Sequence, residues 1–172
     1  MTLQELMGII KDDIGYAKRE SRYDKENAVQ YLKVSHRHVM SLLLYNVPSK
    51  EYPKIQKITH RQKQKYARRV TWTATGFDVA LNKLFGNEIK ENKEYTSKIT
   101  PWGLLTLDNE KYPVYSDDAG QCDYIIIDDE SYSGGTYNFV PEETFVHCII
   151  SNMYVKAIKE IEEPIKENIK GE

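Results

Sequence analysis

Apolar residues recur at helical spacing at both ends of the chain and lose that spacing between Thr100 and Val140. This change of period limits the possible folds more than any other feature. In "TLQELMGIIKDDIG", Thr2 and Glu5 have the spacing of a capping box, and Leu3, Leu6, Met7, Ile10 and Ile14 share one helix face. Gly15 is expected to close that helix. A second helix is predicted from Asp24, with Ala28, Leu32, Ser35, Val39 and Leu42 or Leu43 pointing inward and Asn46 and Pro48 ending it. The short polar link between the two makes an αα-hairpin. Further on, "TATGFDVALNKLFGNE" predicts a helix with Thr75 and Asp78 at its cap. Phe77, Ala80, Leu81, Leu84 and Phe85 are expected as its buried face and Gly86 as its stop. "KENKEYTSK" is expected to be a solvated linker, so the first 99 residues read as helices alone.

From Thr100 the chain is dense in glycine, proline, Asn-Asp and β-branched or aromatic residues. Short strands are predicted near Leu104–Leu107, Val114–Tyr115, Tyr124–Ile127 and Thr136–Phe139. A closing helix begins at Pro141, with Glu142 and Glu143 in its favourable first turn. Its apolar face is read as Phe145, Ile149, Met153 or Asn152, Lys156 and Ile158, and Pro164 ends or kinks it before a frayed tail. The predicted fold class is therefore α+β, mainly helical: an αα-hairpin and a long C-terminal helix with a small antiparallel strand region. At 172 residues this is expected to be one domain, 1–172, divided into a helical part (1–99), strands and turns (100–140), the closing helix (141–163) and a tail (164–172).

Composition narrows the function. A formal net charge of -2 argues against bulk electrostatic binding to nucleic acid or an anionic membrane. Thirteen of the aromatic residues are tyrosine, a side chain enriched at interfaces. Cys122 and Cys148 are the only cysteines and sit in no disulfide or zinc spacing. The N-terminus lacks the pattern of a signal peptide, and no window approaches the apolar length of a membrane span, so a soluble protein of a reducing compartment is expected.

Charge is distributed unevenly. Lys54 to Arg69 holds seven lysines or arginines, one histidine and no acid. Lys54, Lys57, Arg61, Lys65 and Arg68 follow helical spacing, which would place them on one positive helix face able to grip nucleic-acid phosphates or an acidic neighbour. Asp108 to Glu130 holds eight acids against one lysine, with Asp117, Asp118, Asp128 and Asp129 as candidate acidic contacts. A basic half and an acidic half suit head-to-tail association of identical subunits.

Other chemistry is weaker. "IIIDDESYSGGT" resembles the loop with which phosphoribosyltransferases bind a sugar phosphate, through Asp128, Asp129 and the Ser133–Thr136 turn. That use needs a parallel sheet and a helix starting at the turn, whereas Tyr137 to Pro141 reads as extended. A hairpin turn between two short strands is the reading adopted. Ser133, His147 and Asp128 make a nominal triad with no nucleophile elbow. The acids Asp117, Asp118, Asp123, Asp128 and Asp129 match no calcium loop, and His36 and His38, two apart, point to different faces of a helix.

The organisation resembles the head-to-tail connector (adaptor) proteins of tailed bacteriophages, which sit as a ring beneath the portal. Their opening "T-L-x-E-L" helix, acid-capped second helix, variable middle with a few strands, and "I-P-E-E-F" turn into a long helix have counterparts here. These are "MTLQELMGIIKDDI", "YDKENAVQYLKVSHRHVMSLL", the Tyr95–Phe139 region and "FVPEETFVHCIISNMYVKAIKEI". The resemblance implies a structural virion protein rather than an enzyme, made in the host cytoplasm, placed at the head–tail junction, with no cofactor, no metal and no membrane. It implies a ring of copies, twelve by family analogy, with the portal protein on one face, a tail or further ring protein on the other, and DNA in the lumen. The rival expectations are a small phage nucleic-acid-binding or regulatory protein using residues 54–69, and a phosphoribosyl-binding enzyme.

Overall fold

The computed structural model describes residues 1–117, 120, 122–134 and 140–163. Of these, 52% are helical and 23% are in strands, an α+β fold with a long C-terminal helix. The expected strand at Thr136–Phe139 and the tail beyond Pro164 lie outside the described residues.

Helix α1 spans Leu3–Glu20 and α2 spans Lys25–Asn46. The Thr2 hydroxyl accepts from the Glu5 amide, and the Asp24 carboxylate accepts from the Asn27 amide, so each helix begins where its side-chain cap stands. Gly15 does not end α1. The helix continues to Glu20, because Ala17 is fully buried against the rest of the core, and such packing outweighs the roughly 1 kcal/mol propensity cost of an interior glycine.

The closing helix α5 spans Pro141–Glu162. Its buried stripe is Phe145, Val146, Ile149, Ile150, Tyr154, Ala157 and Ile161, while Met153 and Ile158 are half-buried and Lys156 is exposed. This stripe meets Leu32, Val39 and Leu43 of α2 and Leu6 and Ile10 of α1 in one core. Each large aliphatic or aromatic side chain so enclosed contributes about 1.5–3 kcal/mol. A polar thread runs through this core. The Tyr154 hydroxyl lies 2.8 Å from Ser35 Oγ, and Ser35 in turn donates to Asp13, so both buried hydroxyls are satisfied.

A five-stranded antiparallel sheet lies beside the helices. Its strands are β1 (Gln56–Lys57), β4 (Gly103–Leu107), β5 (Glu110–Ser116), β6 (Asp123–Ile127) and β7 (Glu130–Ser133), paired in that order. Asp108-Asn109 and Asp128-Asp129 are two-residue hairpin turns in which both residues have positive φ, the type I′ geometry that Asp and Asn tolerate. The hairpin reading of "IIIDDESYSGGT" is the one observed, with a tighter turn than expected, since Glu130–Ser133 already forms the second strand. The strand carrying Asp128 and Asp129 is antiparallel to its neighbours, and the two acids form the turn itself. Gly134 is buried, and a Cβ there would come within 2.5 Å of the Phe145 ring. Its bareness admits that ring rather than an anion.

The expectation that residues 1–99 are purely helical is overturned. Between α2 and β4 come β1, a six-residue helix α3 (His60–Lys65), β2 (Arg68–Thr73), α4 (Gly76–Leu84) and β3 (Glu94–Ile99). β2 and β3 pair along all six residues as a separate two-stranded ribbon. The segment expected as a linker thus supplies a strand, with Tyr95, Ser97 and Ile99 alternating opposite Trp72, Val70 and Arg68. Trp72 stacks on Tyr95 at 5.2 Å and donates to Ser97 Oγ at 2.9 Å. A period of two with cross-strand aromatic packing is what selects a strand here.

Candidate functional site

The ribbon and α4 form an arm. Among the described residues, no helix or sheet strand of the body packs extensively on β2, α4 or β3. The attachment lies near the start of β2, where Tyr115 donates its hydroxyl to the Tyr66 carbonyl at 2.9 Å and Arg68 pairs with Asp129 at 2.9 Å. Six residues of strand extend roughly 20 Å, which separates α4 from the start of the ribbon. Thr75 and Asp78 form the expected capping box, and Asp78 is held below the usual carboxylate range by its hydrogen bonds from the Thr75 amide and hydroxyl.

The predicted burial of the α4 apolar face does not occur. Phe77 is 74% exposed, Leu84 82% and Phe85 74%, and Leu81 and Ala80 are exposed as well. Helix α4 has no buried residue. Amphipathic spacing identifies which face is apolar, but no described residue of the chain covers it.

The five basic candidates do not share a helix face. Lys54 precedes β1, Lys57 lies in β1, Arg61 and Lys65 lie in α3, and Arg68 lies in β2. The helix cannot span them because the Thr59–Gln62 capping box starts α3 only at His60 and Tyr66 ends it. Arg61 and Lys65, four apart, remain neighbours. Lys54, Lys57, Arg61 and Lys65 are exposed, and Lys65 Nζ lies 5.4 Å from the centre of the Tyr66 ring. Arg68 pairs with the exposed Asp129, so one contact between the basic and acidic segments is made within the chain.

The outer face of the ribbon carries a charge pair missed in the sequence. Arg69 is directly opposite Lys98, and Thr71 is opposite Thr96, all exposed. The alternation in "RRVTWT" was the available signal.

The acidic candidates scatter along the sheet. Asp117 accepts from the Cys122 amide at 3.2 Å, Asp128 and Asp129 form the β6–β7 turn, and Asp118 lies outside the described residues. Asp123 accepts from Trp102 Nε1 at 3.1 Å and from Ser116 Oγ at 2.6 Å. Ser133 Oγ contacts Cys122 Sγ at 3.0 Å, whereas His147 Nε2 faces the Tyr52 hydroxyl at 3.4 Å, so each of these two side chains is engaged with a partner outside the nominal triad. His36 stacks on Tyr154 and contacts Ser151 at 3.1 Å, whereas His38 is exposed. Among the described residues no group of three His, Cys, Asp or Glu side chains is placed to hold a metal ion.

A groove of about 310 Å³ opens where the end of α2 meets the start of α5, lined by Leu44, Val47, Tyr52, Glu143, His147 and Cys148 among others. Leu44 at its rim is 56% exposed. Burial pushes the Tyr52 hydroxyl up to about 12, with the Glu143 charge adding to the effect. Burial likewise pushes the Cys148 thiol up and the His147 imidazole down, the latter partly opposed by Glu143. The groove therefore keeps neutral, side-chain-sized apolar walls with one acid beside them.

No protein-family model, curated protein or solved structure matches the chain.

Proposed function

We propose that this chain is a structural subunit that assembles head to tail with copies of itself, as a component of the connector ring between a bacteriophage head and tail. The observation that carries the reading is the arm. It leaves four large apolar side chains in solvent on a basic segment of an otherwise acidic chain. Residues 54–99 hold eleven Lys or Arg against four acids, while the remainder holds thirteen against twenty-two. A patch of one kind at one place and its complement elsewhere generates heterologous contacts, which close into a ring when the rotation permits. The portal and a tail protein are the proposed neighbours, with DNA in the lumen. Native mass spectrometry of the protein, alone and with a portal from the same genome, tests this reading. A ring-sized complex supports it, and a monomer with no portal affinity refutes it.

Nucleic-acid contact is a second reading, favoured by Arg69 and Lys98. Like charges directly opposite on a ribbon repel, and an intervening phosphate relieves that repulsion. A two-stranded ribbon also fits the major groove of DNA. A gel shift that weakens with salt and is lost in Arg69→Glu/Lys98→Glu supports this reading, whereas no shift at low salt ends it.

A further inference from the structure

We propose that the apolar face of α4 seats in the α2–α5 groove of the next copy of this chain, with Lys83 of the arm beside Glu143 of the acceptor. This rests on the self-association reading and names its donor and acceptor surfaces. Phe77, Leu81, Leu84 and Phe85 lie at spacings of four, three and one, so they form a single stripe rather than scattered exposure. A nine-residue helix is marginal in water, and among the described residues none covers this one. The groove offers the complementary shape: a recess walled by Leu44, Val47, Tyr52 and Cys148, wide enough for side chains and open to the surface.

Charge selects a second copy as the occupant. The arm belongs to the basic segment 54–99 and itself holds six Lys or Arg against four acids, and Glu142 and Glu143 stand at the first turn of α5 beside the groove. Among the described residues Glu143 belongs to no ion pair. Lys83 is exposed and adjacent in sequence to Leu84, so a tip that inserts Leu84 carries its positive charge toward that acid. Donor and acceptor are different surfaces of one chain, and each copy therefore leaves one of each unfilled for the next.

Cys148 in the groove supplies the test. In a Cys122→Ser background, Leu84→Cys is cross-linked with a short bismaleimide at mildly alkaline pH, where the half-buried Cys148 thiol reacts more readily. A ladder of covalent multimers that disappears with Cys148→Ser is the expected result. Intramolecular linkage without multimers, or no linkage to Cys148, overturns the docking.

A second measurement needs no new thiol. Phe77→Ser/Leu84→Ser is expected to weaken self-association tenfold or more, the scale of hot-spot truncation, with the thermal melt of the dilute monomer unchanged because Phe77 and Leu84 are exposed in it. Glu143→Lys is expected to weaken association, and adding Lys83→Glu to restore it. Variants that all oligomerise as the wild type does refute the docking while leaving self-association intact. Wild-type protein that never associates refutes both. A small molecule that fills the groove without altering association also counts against the second copy as its occupant.

Discussion

Arg69 and Lys98 face each other across the β2–β3 ribbon, two cations in direct cross-strand register on an exposed face. Such a pair costs the isolated ribbon about 0.2–1 kcal/mol. Lys98→Glu converts it to an attractive pair. Slower amide hydrogen exchange in residues 68–73 and 94–99 at low salt is expected, with the difference shrinking as salt is added. Unchanged exchange at low salt would mean that the two charges do not meet.

Gly134 and Gly8 make opposite predictions. A Cβ at Gly134 enters the Phe145 ring at 2.5 Å, and overpacking of this kind costs about 1–3 kcal/mol, so Gly134→Ala should lower the urea midpoint. Gly8 lies exposed inside α1 with nothing within 4 Å of a new Cβ. Gly8→Ala should raise the midpoint by about 0.5–1 kcal/mol of stability.

These contrasts show which parts of the fold were readable in advance. The stripes of α1, α2 and α5 are long and periodic, and their burial follows from Leu6, Leu32, Val39 and Ile149 meeting one another. Helix α4 has an equally clear stripe that stays exposed, because periodicity states which residues share a face and not whether the same chain supplies a cover. The ribbon was hidden for another reason. In "KYARRVTWT" the basic residues draw a helical reading, whereas Val70 and Trp72 alternate with Thr71 and Thr73 and find partners only 27 and 23 residues later, at Ser97 and Tyr95. Pairing over that distance leaves no local mark beyond a period of two. The groove was equally invisible, since Leu44 and Cys148 are brought together only by the packing of α2 on α5.

The polar thread through the core predicts a graded series. Ser35 Oγ serves both Tyr154 and Asp13, so Ser35→Ala leaves two groups short of a partner and should cost about 1–3 kcal/mol. Tyr154→Phe removes one member but keeps the ring stacked on His36, and should cost less. Equilibrium unfolding in urea reads both.

Burial also sets the pH range of stability. His36 and His147 are depressed below the ordinary value of 6.5 chiefly by desolvation. The unfolded chain then binds more protons than the native one as pH falls past 6.5. Their contribution is therefore full above about 6.5 and is lost toward the lower native values. Tyr52 and Tyr154 are raised from 10.0 to about 12 by burial, so their contribution is full below pH 10 and is lost between 10 and 12. Urea midpoints measured against pH should fall on both sides, with Tyr52→Phe and Tyr154→Phe flattening the alkaline arm.

The most direct test of the central claim is the mass of the native assembly in solution. Sedimentation velocity of the wild-type protein across a wide concentration range, with and without a cognate portal, should resolve a closed oligomer of one size that Phe77→Ser/Leu84→Ser dissolves into monomers. A single monomer boundary at every concentration and with the portal present would contradict the account.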